Sequence, residues 1–260
     1  MKKSCVYLLG ILSAVATFAF EVPPQIFKPG SVILFQGDSI THGGRMKDMN
    51  HFVGHGYQAE IIMRYLAYRP NDQLQFGNRA LSGETTEALL KRWHTDAFPY
   101  TASERGYAGQ FNTEKTELIP DYLSLLIGVN DSGRRRDDPS RPKVDPENYE
   151  KNMRFFVTNS LAINPNLKII ICEPFRHPMP KQSDFVKYQK AAKAIAEEYN
   201  LVFVPFSKLF SETLTSLNSN AKYWCWDSVH PTYAGHMKMA DFWIEEVKKG
   251  LDAGKGSPKK

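Results

Sequence analysis

Five residues spread over almost two hundred positions have the types that covalent acyl chemistry requires. Ser39, in the stretch "GDSIT" from Gly37 to Thr41, carries a hydroxyl. A serine needs a base to act as a nucleophile at neutral pH, and His230 in "DSVH" is the candidate. Asp227, three residues earlier, is the acceptor that would hold the imidazole tautomer and stabilise its charged form. The oxyanion of acyl transfer needs fixed donors, and the amides of Ser39 and Gly83 with the side chain of Asn130 would supply them. Each such donor is worth about 3 kcal/mol of barrier. Alone, "GDSIT" reads first as an ordinary turn, because small polar residues punctuate turns.

What could bring these groups together is visible in the hydrophobic pattern. Short apolar runs recur at Val32 to Phe35, Leu74 to Phe76, Tyr122 to Ile127, Lys168 to Cys172 and Leu201 to Val204. Segments of helical spacing lie between them. Tyr57, Ile61, Ile62, Tyr65 and Leu66 share one face; Asp145 with Pro146 can open a helix whose stripe is Tyr149, Met153, Phe156 and Val157. Asp184 likewise introduces Phe185, Tyr188, Ala192, Ile195 and Tyr199, and a last helix is expected from about Thr232 to Lys248. Alternating strands and helices imply right-handed crossovers and a parallel sheet of five strands with helices on both faces, a three-layer α/β/α sandwich. All loops after the strands then gather along one edge, where such sheets place their sites. "GDSIT", "NRALSGETT" and "GVND" follow the first three strands, and "DSVH" stands just ahead of the last helix.

These four ordered blocks, with Ser39, Gly83, Asn130 and the Asp227/His230 pair, resemble the SGNH hydrolases, also called the GDSL esterase/lipase family. The resemblance spans nearly the whole chain after the first strand. It implies a flavodoxin-like sheet and serine-dependent hydrolysis of esters without a metal or other cofactor. One departure is Ala80, where the second block often has a further glycine; Gly83 still matches the oxyanion position. The G-x-S-x-G elbow of the other large serine-esterase fold is missing.

The chain has 260 residues and a formal charge of +5. Lys2 and Lys3, the apolar run "CVYLLGILSAVATFAF" and Thr17-Phe18-Ala19 read as a signal peptide over residues 1–19, cleaved after Ala19, and so as periplasmic or secreted. The run is short for a membrane span, and no second one is long enough. A single domain is expected over 20–252, with a disordered tail over 253–260. Part of the positive charge sits in the signal and the tail, so no concentrated basic face points to nucleic acid. Cys172 and Cys225 remain after cleavage and read either as a disulfide or as two buried thiols.

Other polar residues carry a bland reading beside a sharper one. Asp38 and Asp131 flank the catalytic positions and are expected to support their loops by binding backbone amides. His51 and His55 are four apart and His230 and His236 six apart, but no cysteine or carboxylate completes a ligand set near the first pair, so no metal is expected. Arg134 to Arg136 read as a solvated cluster paired with Asp137 and Asp138, or, with Arg45 and Arg176, as a receiver for an acidic group on the substrate. Of Trp224 and Trp226, at least one is expected to pack in the core while the other could form a wall for a sugar ring. Arg79, Arg92 and Trp93 are candidates for the same rim, and Trp93 to Thr116 reads as a surface excursion.

The expected activity is removal of short acyl groups, acetyl above all, from a carbohydrate, which rests on export and on the family resemblance. A lysophospholipase or acyl thioesterase is the enzymatic rival, and a non-catalytic carbohydrate-binding protein the rival of another class.

Overall fold

The computed structural model describes residues 22–44, 53–102, 116–133, 143–179 and 184–258. The N-terminal segment read as a signal, Arg45, His51 and the Arg134 to Arg136 cluster lie outside these residues. Strands β1 (Val32–Gly37), β2 (Gln75–Asn78), β5 (Tyr122–Leu126), β6 (Lys168–Cys172) and β7 (Val202–Val204) form one parallel sheet in the order β2-β1-β5-β6-β7. A separate antiparallel pair joins β3 (Tyr100–Ala102) to β4 (Thr116–Leu118).

Helices α1 (Ser39–His42), α2 (Tyr57–Tyr68), α3 (Thr86–Arg92), α4 (Pro146–Ile163) and α5 (Phe185–Glu198) follow the strands, then the short turns α6 (Phe206–Lys208), α7 (Thr215–Leu217) and α8 (Ala221–Trp224), and finally α9 (Tyr233–Asp252). Side chains alternate across a strand, so β1 serves both faces. Phe35 packs on Tyr57 of α2 and Trp243 of α9, while Gln36 turns to the α3 side and donates to the Ala97 carbonyl. Helices α3, α4 and α5 pack together as the other outer layer. Ser124 of β5, in register with Phe35, gives the buried indole of Trp243 a hydrogen-bond acceptor.

N-terminal caps start these helices, at Asp145 and Thr232 where the sequence indicated. Asp145 accepts from the Asn148 amide, Thr232 from Gly235 and Thr85 from Ala88. Asp184 does precede α5 but makes no side-chain cap; its carboxylate pairs with Lys187 and Lys143 instead.

Two expectations are corrected and one open alternative is decided. The tail from Ala253 is docked through Ser257: Ile169 donates to the Gly256 carbonyl, Gly256 to Asn200, and the Ser257 hydroxyl to Leu167, which caps the start of β6. Trp93, Ala97 and Phe98 open the supposed surface excursion yet are fully buried, because Trp93 stacks on Phe98, meets Phe156 and donates its indole N–H to Asn159. Trp93 is therefore core and not rim. Cys172 and Cys225 are both buried free thiols, which settles that alternative.

The strand order decides where a site can form. The chain leaves β1 for β2 on one side and returns to β5 on the other, so the order in which strands are added reverses at β1. The crevice beyond the carboxyl ends of β1 and β5 is where open α/β sheets bind ligands. Gly37 pairs with Leu126 there, and it must be glycine: its φ is +154°, and a Cβ would lie 2.1 Å from the Leu126 carbonyl oxygen.

Candidate active site

Ser39 opens α1 immediately beyond β1, so its amide lies in the first turn, where N–H groups look toward the N-terminal end of the helix. Asp38 is the cap; its buried carboxylate accepts from the Ile40 amide at 3.0 Å and fixes the turn that presents the serine. The Ser39 hydroxyl stands 2.8 Å from Nε2 of His230. Nδ1 of His230 lies 2.7 Å from Oδ2 of Asp227. With the proton on Nδ1 and donated to the carboxylate, Nε2 is left as the acceptor for the serine O–H, which is the tautomer a general base needs.

The loop bearing the histidine and aspartate is held largely by itself. Oδ1 of Asp227 accepts from the amides of Val229 and His230, at 3.1 and 2.7 Å. Ser228 takes a left-handed conformation, φ +66°, which closes the turn and brings residues 227 and 230 together. Trp226 and His230, Cys225 and Pro231, and Trp224 and Thr232 pair across the loop base, and His177 donates to the Ser228 carbonyl from the loop after β6. Partial burial works to raise the Asp227 carboxyl, but the His230 and Val229 hydrogen bonds outweigh it and hold it below the usual range. Its side chain remains half exposed.

On the opposite wall Asn130 is buried and Gly83 partly buried. Gly83 has φ +80°, a left-handed turn open to glycine, and Asn130 follows the end of β5 with its side-chain N–H₂ donating to the Glu84 carbonyl at 2.9 Å. That amide has a second hydrogen, so one N–H can hold the loop while the other serves an oxyanion. Asp131 accepts from the amide and hydroxyl of Thr86, which in turn accepts from Asn152 of α4. Burial pushes the Asp131 carboxyl up to about 6, against the Thr86 hydrogen bonds that pull it down. Asp38 and Asp131 thus both hold loops.

The remaining candidates separate by exposure. Trp224 is buried and donates its indole N–H to Asn218, so it packs and does not line the rim; Trp226 is 68% exposed beside Asp227. Arg176 directs its guanidinium to Ser132 and the Val129 and Gly133 carbonyls and lies over the Phe185 ring, bracing the loop that carries Asn130. His236 is buried and accepts from the Tyr57 amide; burial, then the neighbouring His55 and His230, bring it down to about 3, so it is a neutral structural histidine. No group of three His, Cys, Asp or Glu among the described residues could hold a metal. Sequence reasoning missed the Glu84 carboxylate and its partners, since a charged residue in a polar loop carries no sign that it is buried.

A family model for GDSL-like lipases and acylhydrolases matches residues 35–238. The chain is similar to an acetylxylan esterase of Geobacillus stearothermophilus, at 32% identity over 231 residues that cover 84% of this chain and 94% of the relative. The crystal structure of Axe2, an acetylxylan esterase of the same organism, superposes with a TM-score of 0.68 at 29% identity over 85% of this chain and 95% of that one. Three variants of it described as catalytic mutants replace a serine, an aspartate and a histidine with alanine, the last two being three positions apart. LAE5, an α/β hydrolase enzyme from the metagenome of Lake Arreo, superposes with a TM-score of 0.72 at 26% identity, covering 86% and 98% of the two chains.

Proposed function

We propose, from the premise that the chain belongs to the GDSL-like lipase/acylhydrolase family and is a serine-dependent carboxylic ester hydrolase, that it is an exported carbohydrate esterase removing acetyl groups. The observation that carries the chemistry is the unbroken line from Ser39 Oγ through His230 to Asp227, with spacings of 2.8 and 2.7 Å. Ser39 attacks the ester carbonyl while His230 takes its proton, and Asp227 stabilises the imidazolium. The amides of Ser39 and Gly83 and the side chain of Asn130 hold the oxyanion. His230 then protonates the departing sugar oxygen, which leaves as a hydroxyl, and a water activated by the same ring releases acetate and restores the serine.

The carbohydrate part of the reading rests on likeness to the acetylxylan esterase and on what borders the triad. Trp226 is 68% exposed and Tyr233 76% exposed, one on each side of the Asp227 to His230 turn, and flat exposed aromatics suit sugar rings. Export rests on the charged start, apolar run and small-residue site of residues 1–19, and N-terminal sequencing of the secreted chain tests it. No helix among the described residues is long and apolar enough to cross a membrane.

The direct test is the acyl-length profile on 4-nitrophenyl esters, acetate through dodecanoate, for the wild type and Ser39→Ala, followed by acetate release from acetylated xylo-oligosaccharides. Turnover confined to short chains and lost in the variant is expected. Rates that rise with chain length would move the enzyme to lipid or thioester substrates. Oligosaccharide binding with no Ser39-dependent turnover would make it a binding protein on this scaffold.

A further inference from the structure

We infer that Arg92 is a positioning residue for the oxyanion hole, its guanidinium locking together the three segments that supply the hole's donors. The inference rests on the proposed roles of Ser39, Gly83 and Asn130.

Arg92 closes α3, and its side chain turns back beneath the loop that precedes that helix. Nε and Nη2 grip the two carboxylate oxygens of Glu84, each at 2.5 Å, in the two-pronged geometry that a guanidinium alone supplies. Nη2 also reaches the Arg79 carbonyl at 2.9 Å and Oε1 of Gln36 at 3.3 Å. Gln36 belongs to β1, three residues before Ser39. Glu84 directly follows Gly83, and its own carbonyl receives the side-chain amide of Asn130 at 2.9 Å. One cation thus ties the serine strand, both ends of the Gly83 loop and, through one peptide unit, the Asn130 loop. The far end of α3 is fixed independently, because Thr86 is held by Asp131. Helix α3 is therefore a short strut pinned to the second and third loops at both ends.

A stability argument does not account for this pair. Its side chains are only 14% and 4% exposed, and the burial that raises the Glu84 carboxyl outweighs the pull of Arg92. Replacing buried ion pairs by apolar residues of similar volume is often neutral or stabilising, so the pair is better explained by the geometry it imposes than by energy it adds. Oxyanion donors act through preorganisation, and small displacements are costly at that site.

Arg92→Met keeps the stem and removes the fork; Arg92→Lys keeps the charge; Glu84→Gln keeps the shape. Hydrolysis of 4-nitrophenyl acetate, inhibition by phenylboronic acid, whose serine adduct carries the tetrahedral anionic charge, and thermal midpoint are measured for each. Arg92→Met is expected to lower kcat by about 30- to 100-fold with KM within about 2-fold, since the donors act on the transition state. The boronate inhibition constant should rise by a similar factor, and Arg92→Lys should recover little because it lacks the fork. Glu84→Gln combined with Arg92→Met should add almost nothing to either alone. Should Arg92→Met fail to fold, Glu84→Gln and Arg92→Lys give the same readout. Folded variants with kcat and boronate affinity within about 3-fold of wild type would overturn the inference, as would losses explained by the folded fraction alone. Turnover without Ser39 dependence in the wild type would overturn the underlying hydrolase reading first; Ser39-dependent turnover indifferent to Arg92 would overturn only this one.

Discussion

The two walls of the candidate active site are built by opposite means. The His230 wall is a four-residue turn whose aspartate binds the histidine ring and the turn's own amides, within a three-residue span and half in solvent. The proposed oxyanion wall is largely buried and assembled from far-separated segments: Gln36, Arg79, Glu84, Arg92, Asn130 and Asp131 meet only because β1, β2 and β5 lie side by side. A proton relay needs one aligned axis, which a local turn can supply. An anion hole needs several donors converging from different directions, which no single segment can present.

The largest break should come on the local wall. His230→Ala is expected to lower kcat/KM by about 10⁴-fold or more, because base, acid and serine activation vanish together, and single-turnover kinetics on 4-nitrophenyl acetate would register it. Asp227→Asn should cost less than this, since its carboxylate is half exposed and solvent supports the imidazolium in part; kcat with KM unchanged is the reading to compare.

On the buried wall, Asn130→Ala should lower kcat by about 10²- to 10³-fold. Unlike Asp227→Asn, it should also lower the thermal midpoint, because the Glu84 carbonyl loses its partner inside the protein, at about 1 to 3 kcal/mol. A variant that loses rate and keeps its midpoint would show that the wall tolerates an unpaired carbonyl and sharpen the contrast.

The walls also differ in their response to pH. Asp131 titrates near 6 in the folded protein against a model-peptide value near 3.9, so between these values the folded state keeps a proton the unfolded chain has released. Relative to Asp131→Asn, the wild type should therefore lose stability as pH rises from 4 to 6, by up to about 3 kcal/mol, and the difference should level off above 7. Denaturant midpoints of the two proteins across that range measure it; parallel curves would mean that Asp131 stays ionised throughout. Asp227 is lowered, so its contribution has the opposite sign: it is present at neutral pH and lost as acid protonates it.

The smallest effect belongs to the rim. Trp226→Ala should raise KM for an acetylated oligosaccharide by about 5- to 10-fold and leave 4-nitrophenyl acetate within about 2-fold, as removal of one stacking face costs about 1 kcal/mol. Equal effects on both substrates would assign Trp226 to the loop's architecture.

The sequence by itself determined the five parallel strands and the helices between them, and it named the residues proposed for the relay. Apolar runs, caps and a carboxylate three residues from a histidine are short-range patterns, and short-range patterns survive in one dimension. It also proposed Asp38 and Asp131 as loop supports, and each accepts from a backbone amide. What it left open or misread depended on burial. Trp224 and Trp226 are two residues apart and alike in type, yet one packs inward on Asn218 and the other faces solvent. Trp93 looked like rim and is core, and the glycine-containing tail looked free but is stitched to the start of β6. Arg92 read as a candidate for the rim, and Glu84 carried no signal of its own. Only the tertiary structure decided that they face one another inside the protein, because a charge can be buried only where a partner from elsewhere in the chain waits to meet it.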